Sequence, residues 1–183
     1  FDEIQEVKDW EKCINSLRVA LDCDIYITGS NAKLLSGELS TYLGGRYVEF
    51  VIYPFSFQEY LDMRKTSTTN LNISQEFQQY IRLGGMPFLQ NLQGIEDASM
   101  QYLKDVYNSV VLKDIIQRNN IREVDMLERI ITYVMANIGR VFSASSIVKY
   151  FKNENRKVSS ETVMNYLKMC QEAFLIYKVS RED

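Results

Sequence analysis

Between Asp97 and Ile138, apolar residues return every three or four positions. Leu103, Val106, Val110 and Ile115 lie on one stripe, and Leu127, Ile130, Ile131, Val134 and Ile138 lie on the next. That period belongs to amphipathic helices packed on one face, and two such segments in succession commit this stretch to helix-on-helix packing. The pattern begins at about Ile73. Ser74 is placed to cap a helix through Leu83, which Gly84-Gly85 and Pro87 would stop. Upstream the character differs. Val7, Trp10, Ile14, Leu17 and Leu21 form one helical stripe, but Asp24–Thr28 is a short apolar run ending in Gly29-Ser30-Asn31 and reads as a buried strand entering a turn. Ala32–Tyr42 is a candidate helix. Tyr47–Ile52 is rich in β-formers and is closed by Pro54. Ser56 with Glu59 three residues later is a capping box for the helix that follows.

The last forty residues change again. Ser143 is placed to cap Ala144–Phe151, the polar stretch Lys152–Lys157 turns the chain, and Ser159 or Ser160 starts a helix through Cys170. Leu175–Val179 then reads as a strand. Helix, turn, helix, strand is the order of a winged helix-turn-helix over about 141–181. The expected fold class is therefore an α/β remnant at 1–65, a helical linker at 66–96 and a mainly α region at 97–183 that contains the winged helix, with helix predominating overall.

Composition removes several chemistries. The chain has 183 residues and no histidine, which excludes Ser-His-Asp and Cys-His nucleophile systems, His-ligated zinc and His proton shuttles. Its three cysteines, Cys13, Cys23 and Cys170, lack CxxC spacing and read as reduced, small apolar side chains, which suits a cytoplasmic protein. No apolar run approaches the ~20 residues of a membrane helix. Charge is unevenly placed. Residues 1–62 carry eleven acids against five bases, and residues 141–181 seven bases against three acids, a local net of +4 in a chain of net −3. The basic surface thus falls on the winged-helix candidate, where Ser159, Ser160, Thr162 and Asn165 face outward. DNA is its candidate partner, with a solvated face on a helical module used only for packing or subunit contact as the alternative.

The chain opens on Phe1-Asp2-Glu3-Ile4-Gln5. Two adjacent acids at the end of a buried strand suit nucleotide hydrolysis, one holding Mg²⁺ and the other polarising water. A DE dipeptide alone carries little weight. Its setting carries more: Ile25-Tyr-Ile-Thr-Gly-Ser-Asn31, then Leu43-Gly-Gly-Arg-Tyr47, then Tyr53-Pro-Phe-Ser-Phe-Gln-Glu-Tyr60, then Gly84-Gly85-Met86-Pro87 and Lys113-Asp114-Ile115. This order resembles a prokaryotic family of AAA-like P-loop ATPases, an ATPase core followed by a domain of unknown function.

The resemblance implies roles. Asp2 and Glu3 match the Walker B pair, with Asp2 the Mg²⁺ carboxylate. Ser30 and Asn31 fall at the polar sensor of the γ-phosphate, with Thr28 an alternative, and a helix cap is the structural reading of the same turn. Arg46 matches an arginine that reads phosphate charge in its own or a neighbouring subunit, an ion pair being the other reading. The departure from the family is as informative. No GxxxxGK[ST] string occurs, so the backbone cradle and lysine that hold phosphates are missing. The expectation is a piece of a longer ATPase, with ATP and Mg²⁺ as ligands of the complete protein and neither bound by this chain alone. The Walker A strand of such a sheet lies between the strands near Ile25 and Val48. Without it, the expected outcome is a two-strand compromise or association with another copy.

Overall fold

A computed structural model describes residues 1–30, 43–66, 70–92, 95–141 and 143–180. The described residues are predominantly helical. In chain order the α-helices are α1 (Trp10–Ala20), α2 (Phe57–Lys65), α3 (Ile73–Leu83), α4 (Glu96–Ser109), α5 (Val124–Ala136), α6 (Ala144–Asn153) and α7 (Ser160–Glu172). A π-helix, Val110–Gln117, follows α4 directly. Two compact units result. One comprises Phe1–Val48 with Val110–Asp183, and the other Glu49–Ser109.

The caps show why the helices start where they do. Ser56 and Glu59 form the expected capping box of α2: the Glu59 amide donates to Ser56 Oγ at 3.3 Å and the Ser56 amide to Glu59 Oε2 at 2.8 Å. Ser143 caps α6. Of the two serines before α7, Ser159 is the cap, accepting from the Thr162 amide at 3.0 Å. At α3 the cap is Asn72, not Ser74. Its Oδ1 accepts from the Ser74 and Gln75 amides, so Ser74 sits inside the first turn.

The strand expectations need correction. Among the described residues no strand is assigned. Asp24–Thr28 is extended but not buried, with Tyr26 77% exposed and Ile25 and Ile27 half-buried. Val48–Tyr53 takes no regular structure and is exposed along its length, and Leu175–Val179 forms no ladder either. A β-former lowers the cost of extension, but a ladder needs a partner with free backbone groups. Among the described residues, Phe1 pairs with Ile27 in parallel register through Phe1 N to Tyr26 O at 2.8 Å and Thr28 N to Phe1 O at 2.9 Å. The candidate helix Ala32–Tyr42 lies outside the described residues.

Among the described residues, the first unit has three apolar clusters. Ile4, Trp10, Ile14 and Leu43 pack with Ile25, Ile27 and Tyr47. Helix α5 serves the other two. Leu127 and Ile131 join Val111, Ile115, Cys170 and Ala173 on one side, and Ile130 and Val134 join Ile147, Phe151, Val163 and Leu167 on the other. Cys170 is buried as expected, and burial pushes its thiol up to about 11. Cys13 and Cys23 are exposed, which corrects their assignment to apolar packing; all three are free thiols.

The second unit centres on α2 and α3. Glu76 is buried, accepting from Tyr60 Oη at 2.7 Å and from Arg64 Nε and Nη2, each at 3.2 Å. The Gly84-Gly85 pair closes this unit. Gly84 adopts φ 78, which terminates α3 in the left-handed half of the map. A side chain on Gly85 would place its Cβ 2.0 Å from the Phe55 carbonyl oxygen, because Phe55 N bonds Gly85 O at 2.8 Å. Tyr80 Oη donates to that same Phe55 carbonyl at 2.8 Å.

Candidate functional site

The Phe1–Ile27 pairing determines what the two acids meet. If the parallel ladder continued, the Glu3 amide would bond the Thr28 carbonyl. Instead Glu3 turns into the left-handed region at φ 47 and the next amide, Ile4, takes that carbonyl at 3.1 Å. The Glu3 amide goes to Thr28 Oγ1 at 3.2 Å. Thr28 Oγ1 spends its own proton on Asp2 Oδ1. Ser30 Oγ donates to Glu3 Oε2 at 3.1 Å. Each acid of the pair thus has a hydroxyl partner from the neighbouring segment, and both acids stay exposed to solvent.

The other expected residues fare differently. Thr28 and Ser30 are both brought to the acids, Thr28 to Asp2 and Ser30 to Glu3. Asn31 lies outside the described residues. Arg46 sits on an exposed turn whose two glycines, Gly44 and Gly45, take φ 58 and 70. Its amide bonds Leu43 O at 3.2 Å, and its guanidinium forms no ion pair among the described residues.

One residue at this end was not assigned a role from the sequence. Asp114, on the π-helix, pairs with Arg118 Nη2 at 3.1 Å and takes a hydrogen bond from Ser30. Burial raises its carboxyl above the ordinary range. Arg118 opposes that rise, the Glu3 charge adds to it, the Ser30 hydrogen bond opposes it and Glu6 adds again. The signal in the sequence was Lys113-Asp114-Ile115 as a motif, with nothing to say what it meets.

The donor set at this end is carboxylate and hydroxyl oxygen, the kind Mg²⁺ accepts. Among the described residues no group of three or more acids, cysteines or histidines is gathered to enclose a metal ion. No helix of the described residues is long and apolar enough to cross a membrane.

Comparison with known proteins follows the same division. Residues 1–61 match the model of an AAA domain, so the first third of the chain, including the acid pair and its hydroxyls, is similar to AAA ATPases. An uncharacterized protein of Haemophilus influenzae is 37% identical over 182 residues, covering all of this chain and 45% of that protein. An uncharacterized protein of Methanocaldococcus jannaschii is 32% identical, over 97% of this chain and 41% of that protein. The chain therefore spans less than half the length of the curated relatives it matches. No solved structure matches it. Residues 74–182, more than half the chain, match the model described as a domain of unknown function (DUF8612), and the chain belongs to that family.

Proposed function

We propose that residues 1–48 form the acidic half of the nucleotide-hydrolysing site of an AAA-like ATPase. The observation that carries this reading is the pairing of Asp2 with Thr28 and of Glu3 with Ser30 at the ends of two adjacent parallel segments. Asp2 would hold Mg²⁺, directly or through water, and bound Mg²⁺ neutralises phosphate charge as the terminal bond breaks. Glu3 polarises the attacking water. Thr28 fixes the orientation of Asp2, and Ser30 hydrogen-bonds either Glu3 or an incoming phosphate oxygen. The sequence holds no P-loop string, so the phosphate cradle has to come from residues outside these 183 and the activity belongs to a longer protein. Arg46 and Asn31 keep the phosphate-reading roles that the resemblance implies.

Calorimetric titration with Mg-ATP tests this at two levels. The 183-residue chain is expected to show no micromolar binding. In a protein extended to the length of the relatives, Glu3→Gln is expected to keep ATP binding and lower turnover by at least about 10²-fold. Micromolar binding by the short chain, or full turnover in the Glu3→Gln protein, overturns the reading.

A second activity is proposed for the C-terminal region. Helices α6 and α7 are joined by a short turn and leave Lys149, Lys152 and Lys157 exposed, which favours contact with a phosphate backbone as in a winged helix. A labelled duplex whose retention falls steeply with salt, and is lost on changing the three lysines to glutamate, supports DNA binding. Retention unaffected by those changes refutes it.

A further inference from the structure

Helix α5 gives two of its faces to apolar clusters and keeps a third. Arg129, Tyr133 and Asn137 follow one another at four-residue spacing along that third face, with Thr132 beside them. Tyr150 and Glu154, also four apart, come from the end of α6. Together these side chains line an open groove of about 350 Å³. None of the lysines proposed to meet DNA lines it, and neither does α7.

The polar groups of the groove are biased toward accepting. Thr132 Oγ1 spends its proton on Glu128 O at 2.8 Å, and Asn137 Nδ2 donates to Tyr133 O at 2.8 Å, which leaves their oxygens to accept. Arg129 is held by Asp125, with Nε 3.2 Å from each carboxylate oxygen. It reaches Glu154 only at 3.7 Å, beyond a good hydrogen bond. A hydrogen bond to Glu154 and the charge of that group raise the Tyr150 phenol above its ordinary value. A carboxylate has about four acceptor positions, so Glu154, 36% exposed, keeps room for a further donor. The rings supply the rest. Tyr133 and Tyr150 meet with centroids 5.0 Å apart and planes at 51°, and Tyr150 is 43% exposed. An open aromatic face beside acceptors attracts a cation, and a guanidinium suits it best, because its plane stacks on the ring while its N–H fork takes a carboxylate.

We propose that the groove between α5 and α6 receives an arginine side chain of a partner protein, its guanidinium stacked on Tyr150 and bonded to Glu154. The groove is open, so the arginine can enter while its own backbone stays outside. Ile138 and Val141, 70% and 86% exposed just after α5, offer apolar contact to the residues that flank it, which a free amino acid would not use. The C-terminal region then holds a protein on this side and keeps α7 free for its own contacts.

An NMR titration of the whole chain tests this, following the ring signals of Tyr133 and Tyr150. The probe is a capped peptide with one central arginine flanked by alanine and valine. Its citrulline counterpart keeps the shape and loses the charge. The arginine peptide is expected to shift both rings saturably, with half-saturation at or below about 1 mM. The citrulline peptide is expected to bind at least about tenfold more weakly, and Glu154→Gln to weaken the arginine peptide by about three- to tenfold. No saturation below about 20 mM, equal binding of the citrulline peptide, or an unchanged affinity in Glu154→Gln overturns the proposal. Free arginine bound as tightly as the peptide makes the groove a small-molecule site and overturns its assignment to a protein. The citrulline comparison uses the unsubstituted chain, so it decides even if Glu154→Gln disturbs α6.

Discussion

Replacing Glu76 by alanine removes the centre of the second unit's polar network. Three hydrogen bonds vanish at once: one from Tyr60 at 2.7 Å and two from Arg64 at 3.2 Å. Bonds to a charged group contribute about 1.5–3 kcal/mol each, though members of one network do not add. Breaking a buried ion pair by removing one partner costs about 3–5 kcal/mol. Here the Arg64 side chain is 27% exposed against 10% for Glu76, so the orphaned guanidinium regains water and the expected loss drops to about 2–3 kcal/mol. The assay has to read this unit directly, because the single tryptophan, Trp10, lies in the other one. Amide exchange over residues 57–83 does so, and the loss translates into roughly 30- to 150-fold faster opening. Acid should mimic the substitution. Burial alone would raise the Glu76 carboxyl, but Arg64 and Tyr60 outweigh it and hold the group below its ordinary value. Its contribution is complete above the unfolded value of about 4.3 and disappears as pH falls through the lower folded value. Protection in Glu76→Ala within a factor of two of wild type, as for a surface ion pair, would refute the reasoning.

Other substitutions probe the same logic elsewhere. Gly85→Ala drives a methyl into the Phe55 carbonyl and should cost more than about 2 kcal/mol, seen as lost protection in residues 73–83. Phe151→Ala empties the largest fully buried site of the first unit and should cost about 3–5 kcal/mol in urea unfolding followed by circular dichroism. Under native conditions a thiol reagent near pH 8 should modify Cys13 and Cys23 quickly and Cys170 only on unfolding, given its burial and raised thiol; equal rates at all three would contradict the packing around α7.

Legibility followed the range of the interaction. Ser56–Glu59, Ser143 and Ser159 cap their helices as the sequence suggests because a cap is settled within four residues. Asn72 and Ser74 are both able caps two residues apart, and local pattern does not choose between them. Tyr47–Ile52 has every local mark of a strand and forms none, since a ladder depends on a second segment that propensity does not mention. At the site, the order of short motifs pointed to Asp2, Glu3, Thr28 and Ser30, but the pairing of each acid with a hydroxyl was not read from it. Asp114 was beyond reach. It meets Ser30 only because the chain folds back from a distant helix, and a π-helix has no compositional signature that separates it from the amphipathic α-helix its apolar stripe implies.

Helix α5 has one consequence for how the C-terminal region comes apart. It lends Leu127 and Ile131 to one apolar cluster and Ile130 and Val134 to the other, and Tyr166 and Ile176 also border both. Neither cluster can be dismantled while its neighbour stays whole, because the same rod forms a wall of each. Residues 111–176 therefore behave as a single foldon, and a protease would meet this region either intact or wholly open.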